Sequence, residues 1–88
     1  MKKAIITVVG KDTVGIIAKV CVYLAENGVN ILDISQTIVD GYFNMMMVVD
    51  VTSAEFDKIS DGIAKVGVEI GVIIHCQRED IFNKMHRI

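Results

Sequence analysis

The stretch Val9-Gly10-Lys11-Asp12-Thr13-Val14-Gly15 joins an apolar strand to an apolar-faced helix, and is the chain's best candidate binding site. Gly10 and Gly15 admit backbone angles or close approaches that a Cβ forbids. Asp12 or Thr13 can cap the first N–H groups of the helix, and N–H groups left over there can hold a small anion. A second glycine-marked junction, Gly28-Val29-Asn30-Ile31, follows the helix and sets an amide side chain where the chain re-enters a sheet. Each feature also has a purely structural reading. The loop glycines can serve only to let the helix pack against the sheet, Asp12 can be an N-cap and nothing more, and Asn30 can satisfy a turn or a strand-edge amide.

Other residue types that do chemistry are not arranged for it. Ser35, Ser53 and Ser60 lack the Gly-x-Ser-x-Gly elbow, and His75 and His86 fall late in the chain with no evident nucleophile to activate. Gly10-Lys11 lacks the earlier glycine and the following Ser or Thr of a phosphate loop. Adjacent strand residues point to opposite faces, so His75 and Cys76 do not chelate together. Cys21 and Cys76 fall on apolar faces and read as small core hydrophobes, as do Met45 and Met47 of the Met45-Met46-Met47 run. No catalytic residue, no metal site and no cofactor is expected.

The elements that must carry the loop follow from periodicity. Ala4, Ile6 and Val8 alternate as a strand, and Ile16, Ile17, Val20, Cys21 and Leu24 recur on one helix face until Gly28 stops the helix. Leu32, Ile34 and Ile38 alternate, Asp40-Gly41 makes a hairpin turn, and Phe43, Met45, Met47, Val49 and Val51 alternate again. Thr52 and Glu55 read as a capping box opening a second helix, whose inner face carries Phe56, Ile59, Ile63 and Val66 and which Gly67 is expected to end. Val68 to Cys76 then reads as the last strand, so that Gly67-Val68-Glu69-Ile70 repeats Gly28-Val29-Asn30-Ile31. Residues 79–88 read as a short C-terminal helix with Ile81, Phe82 and Met85 on one side.

This order predicts an α+β, ferredoxin-like βαββαβ fold: a four-stranded antiparallel sheet with two helices on one face. The other face is expected to stay open, presenting Ile5, Thr7, Asp33, Ser35, Thr37, Asn44, Met46, Val48, Glu69, Ile73 and His75. A half-apolar open face and unmanaged sheet edges point to a homodimer. The 88 residues suffice for one domain. With 52% apolar residues and no proline the chain should fold, and a net charge of −2 without a basic stripe excludes nucleic acid as a partner. The apolar run after Lys2-Lys3 is too short for a signal peptide, no stretch is long enough to span a membrane, and two separated cysteines make no disulfide framework. A cytoplasmic protein is expected.

With these residues in place, the chain from 1 to about 76 resembles the ACT domain family, ligand-sensing modules of amino-acid metabolism. The resemblance lies in the strand Ala4 to Val9, the glycine-containing loop from Gly10 to Ile16, and Gly28-Val29-Asn30-Ile31 at the second strand. It implies a free-standing ACT domain over residues 1–76 with a helical tail over 77–88. It implies too that paired copies bind an amino acid at their interface through Gly10, Lys11, Asp12, Thr13, Val14, Gly15 and Asn30, with Ile31 in apolar contact. Val14 stands where many members carry proline. Backbone N–H groups at a helix start suit the ligand carboxylate, and Asp12 and the Asn30 amide oxygen suit its ammonium. The expected function is a non-catalytic, homodimeric amino-acid sensor that regulates a protein partner. The alternative is a protein-interaction module of the same fold that binds no ligand.

Overall fold

The computed structural model describes residues 2–11 and 15–79. Its elements run β1 (Lys3–Lys11), α1 (Ile16–Glu26), β2 (Asn30–Val39), β3 (Tyr42–Asp50), α2 (Phe56–Ile70) and β4 (Val72–Arg78). The strands lie in the order β2-β3-β1-β4, every neighbouring pair antiparallel. This is the βαββαβ sheet that the sequence predicts. The expected C-terminal helix falls almost wholly outside the described residues.

Alternation decides which side chains meet the helices. Ala4, Ile6 and Val8 of β1 and Met45, Met47 and Val49 of β3 are buried, facing Val20 and Leu24 of α1 and Ile59 and Ile63 of α2. Fully burying a side chain of this size contributes about 1.5–3 kcal/mol, so these two central strands hold the domain together. The hairpin closes as predicted at Asp40 (φ 52°) and Gly41 (φ 78°), two positive-φ residues whose twist matches that of the flanking strands. Helix α1 also ends as predicted. Gly28 turns left-handed, and the Val29 N–H reaches back to the Leu24 carbonyl at 2.9 Å.

Two expectations fail at α2. The helix does not stop at Gly67 but continues to Ile70, ending at Gly71 (φ 76°). Gly67 is glycine because of packing: a Cβ there would lie 2.8 Å from the Val72 carbonyl oxygen and 2.9 Å from Ile74 Cγ1. Residues Val68 and Glu69 are therefore helical, and Glu69 leaves the open sheet face. The internal match is Gly28-Val29 with Gly71-Val72, a left-handed glycine followed by a buried valine in both halves. Nor do Thr52 and Glu55 form a capping box. Glu55 is the N-cap and makes no side-chain cap hydrogen bond. The Thr52 hydroxyl instead donates to the Asp50 carboxylate and accepts the Lys2 N–H at 2.8 Å, tying the start of β1 to the end of β3.

A third departure concerns β2. All ten of its residues are exposed, including Ile31, Leu32, Ile34, Ile38 and Val39. Its register slips between Ile31 and Asp33, making Leu32 a bulge. The helix layer covers this strand only in part, leaving Ile34 42% and Ile38 59% exposed. Gly67 brings α2 down onto β4, and Tyr23 of α1 lies over Gly62, where a Cβ would overlap the phenol. The Tyr23 hydroxyl donates to the Lys58 carbonyl at 3.4 Å, so Tyr23 joins the two helices. On the open face, Val9, Met46 and Ile73 are exposed. Among the described residues no helix is long and apolar enough to cross a membrane.

Two outcomes follow. Alanine at Gly67 gains about 1 kcal/mol of helix propensity but forces overpacking that costs about 1–3 kcal/mol; urea unfolding should show net destabilisation, and a stabilised variant would contradict the packing role. Hydrogen bonds from the Thr52 hydroxyl and N–H hold the Asp50 carboxyl below its ordinary value of 3.8. The fold therefore favours the charged form, a contribution present above the ordinary value and lost as pH falls through the lowered one. Thr52→Val should shrink the stability difference between pH 6 and pH 3, measured by chemical denaturation.

Candidate functional site

The glycine loop begins at the end of β1, where Gly10 pairs with Phe43 of β3 on one side and Val72 of β4 on the other. A Cβ on Gly10 would approach Val72 Cγ1 to 2.7 Å, so the sheet itself requires glycine there. Lys11, exposed, pairs with Tyr42. Asp12, Thr13 and Val14 lie outside the described residues. Gly15 is the N-cap of α1 with φ 90°, a left-handed conformation that strains any side chain. From there the helix ladder starts with the Lys19 N–H on the Gly15 carbonyl at 3.0 Å. The N–H groups of Ile16, Ile17 and Ala18 precede that bond and have no acceptor within the helix.

Next to these donors is a cavity of about 480 Å³ lined by Ile17, Gln36, Thr37, Ile38 and Phe43. Phe43 is its floor, nearly buried and in register with Gly10 on one side and Ile38 on the other. Ile17 belongs both to the first turn of α1 and to the cavity wall. The sequence pattern sets Ile17 on the apolar face of its helix and Phe43 on the inner face of its strand, and does not join them to the loop. The two-residue hairpin contained the signal: with Asp40-Gly41 as the turn, Ile38 must pair with Phe43.

Asn30 and Ile31 are not part of this group. Asn30 pairs with Asp50, which in turn pairs with Lys3, at the far end of the sheet from Gly10. From Phe43 to Asp50 along β3 is roughly 23 Å at about 3.3 Å per residue. Within one chain, then, Gly10, Lys11 and Gly15 come together with the cavity, while Asn30 and Ile31 stand at the opposite end of the edge strand.

Groups that could act as nucleophiles are quiescent. Burial pushes the Cys76 thiol up to about 11, so it stays protonated at neutral pH. Burial raises the Tyr23 phenol as well, with smaller contributions from Cys76 and Asp61. His75 is exposed on the open face and Cys76 faces the helices, on opposite sides of β4. Cys21 and Cys76 both pack against the core, as their apolar settings predict.

The βαββαβ fold is that of a known family of domains, to which comparisons with known proteins also lead. The ACT domain family model matches residues 2–77. The chain belongs to the ACT domain family. A UPF0237 protein of Bifidobacterium longum is 63% identical over 90 residues, covering the whole of both chains. Among solved structures, an ACT domain protein from Streptococcus pneumoniae superposes with a TM-score of 0.83 at 46% identity, over 92% of this chain and 93% of that one. The ligand-free regulatory subunit of aspartate kinase from Thermus thermophilus superposes with a TM-score of 0.69 at 28% identity, over 86% of this chain and 50% of that one.

The raised thiol has a direct consequence. Iodoacetamide at pH 8 should label Cys76 much more slowly in the native protein than in the urea-unfolded chain, read by mass spectrometry; equal rates would show an accessible, ionising thiol.

Proposed function

We propose that this chain is a non-catalytic cytoplasmic sensor of an amino acid, and that it works as a homodimer joined along β2. The observation that carries the proposal is the bare edge strand: ten exposed residues with Ile31, Leu32, Ile34 and Ile38 among them. An uncovered apolar edge is a template for another strand. A two-fold axis normal to the sheet, passing near Ile34 and Ser35, runs two copies of β2 antiparallel and keeps both helix layers on one side. Asn30 of the partner subunit then falls beside the Ile38 end of the first, next to Gly10, Lys11, Gly15 and the cavity. Two junctions that stand apart within a chain become one site across the axis.

In that site the ligand carboxylate takes the N–H groups at the start of α1, with Gly15 leaving the approach clear. Asp12 and the amide oxygen of Asn30 receive the ammonium, Ile31 gives apolar contact, and Lys11, Thr13 and Val14 complete the loop. Every one of these roles is non-covalent. Because the ligand touches both copies, it binds the dimer better than the free chain and stabilises assembly by linkage. The state of assembly then reports ligand concentration to a regulated protein. The regulatory subunit among the solved relatives supports this kind of role.

A panel of the common amino acids tests the reading by thermal shift. Free ligand at about 100 times its Kd should add about 2.7 kcal/mol of stability, a rise in Tm on the order of 10 °C for a domain of this size. Gly15→Leu and Asn30→Ala should each abolish the rise. In sedimentation, Ile34→Lys should turn a dimer into a 9.7 kDa species. Flat curves across the panel favour the interaction module, docking a protein on the open face through Met46 and Ile73.

A further inference from the structure

We infer that the open face of the sheet is a second interface between copies of this chain, one that stacks two β2-joined dimers face to face into a tetramer. The inference rests on the dimer proposed above and adds a level of assembly to it. Register sets Ile73 of β4, Val9 of β1, Asn44 of β3 and Thr37 of β2 side by side in one row across the face. His75, Thr7, Met46 and Ser35 form the next. Among these eight residues the His75 imidazole is the one ionisable group. Val9, Met46 and Ile73 are exposed, Ile73 to 63%, because the core that the helices cover is on the other side of the sheet.

This composition selects a second copy as the occupant. The Asn44 amide and the hydroxyls of Thr7, Ser35 and Thr37 each donate and accept hydrogen bonds, so the face is complementary to itself when turned about a two-fold axis. Neither row carries a cluster of one sign that would attract an oppositely charged partner. Val9, Met46 and Ile73 supply the apolar surface that association covers. Area decides how many copies take part. With strands about 4.8 Å apart and about 3.3 Å per residue, one four-stranded face has a footprint of roughly 500 Å², so two lone chains stacked would bury about 1,000 Å², short of the roughly 1,200–2,000 Å² of a stable interface. Pairing along β2 makes the face continuous across both sheets and doubles that area into the stable range. Stacking therefore needs the β2 pair first, and a ligand that promotes pairing drives the tetramer with it.

Sedimentation of the full chain over a range of concentrations tests this. The wild-type protein, 9.7 kDa per chain, should pass from a species of two chains to one of four as concentration rises. Ile73→Lys sets a charge in each stacked face from a position outside the buried core. It should stop assembly at two chains, weakening dimer–dimer association on the order of a hundredfold or more, with the melting temperature of the dimer unchanged; Ile73→Val should keep the tetramer. Ile34→Lys should abolish both steps and leave single chains. A wild-type species that never exceeds two chains would overturn this inference, leaving the face to a different protein and the β2 dimer standing. Four chains persisting in Ile73→Lys would overturn the assignment of the open face. Pairs that survive Ile34→Lys and come apart in Ile73→Lys would overturn both this order of assembly and the β2 dimer, as would a single chain at every concentration.

Discussion

The displacement of the helix layer is the constraint on which the rest of this molecule depends. Two glycines set it. Gly67 has no side chain to hold α2 away from the Val72 carbonyl and Ile74, and Gly62 leaves room for the Tyr23 ring of α1. The first contact draws α2 onto β4 and the second draws the two helices together, over a core in which Ile6, Met47, Leu24 and Ile63 are fully buried. The apolar face of β2 receives only part of that cover, with none of its residues buried. An edge strand with a row of half-exposed isoleucines is costly to a lone domain, and it is the physical basis of the proposed pairing.

Much of this fold is legible in the sequence because its signals are local. Alternation in Ala4-Ile6-Val8 and Phe43-Met45-Met47-Val49 places the two central strands, and Gly28 and Asp40-Gly41 mark turns that need positive φ. The end of α2 is different. Gly67 and Gly71 are both glycines near a helix end, and only the proximity of β4 shows that the first is a packing contact and the second the cap. Thr52 likewise satisfies the spacing rule for a capping box, but its hydroxyl is taken by Asp50, a competitor no helix pattern reveals. Alternation in β2 correctly assigns faces to Ile34 and Ile38. It gives no sign that one face would go uncovered, because coverage depends on where the helices land.

The candidate site shows the same division. The loop glycines stand out in the sequence, whereas the cavity beside them is assembled from Ile17, Ile38 and Phe43, three residues from three elements with no spacing in common. Asn30 is recognisable as a residue but not as a neighbour, since register puts it at the far end of the sheet. The two readings fit together once the bare edge is paired. In the proposed dimer, one contact would cover the exposed isoleucines, close the cavity wall and bring the amide to the loop. Function of this kind needs no reactive group, and the buried, protonated Cys76 thiol offers none.

Amide hydrogen exchange along β2 tests the bare-edge account most directly, because it reads the outward-facing N–H groups of that strand one by one. The account predicts that these amides, from Asn30 to Val39, are protected at high protein concentration and lose that protection on dilution, while those of β1 and β3 stay protected throughout. Rapid exchange along the outward edge of β2 at every concentration would contradict it.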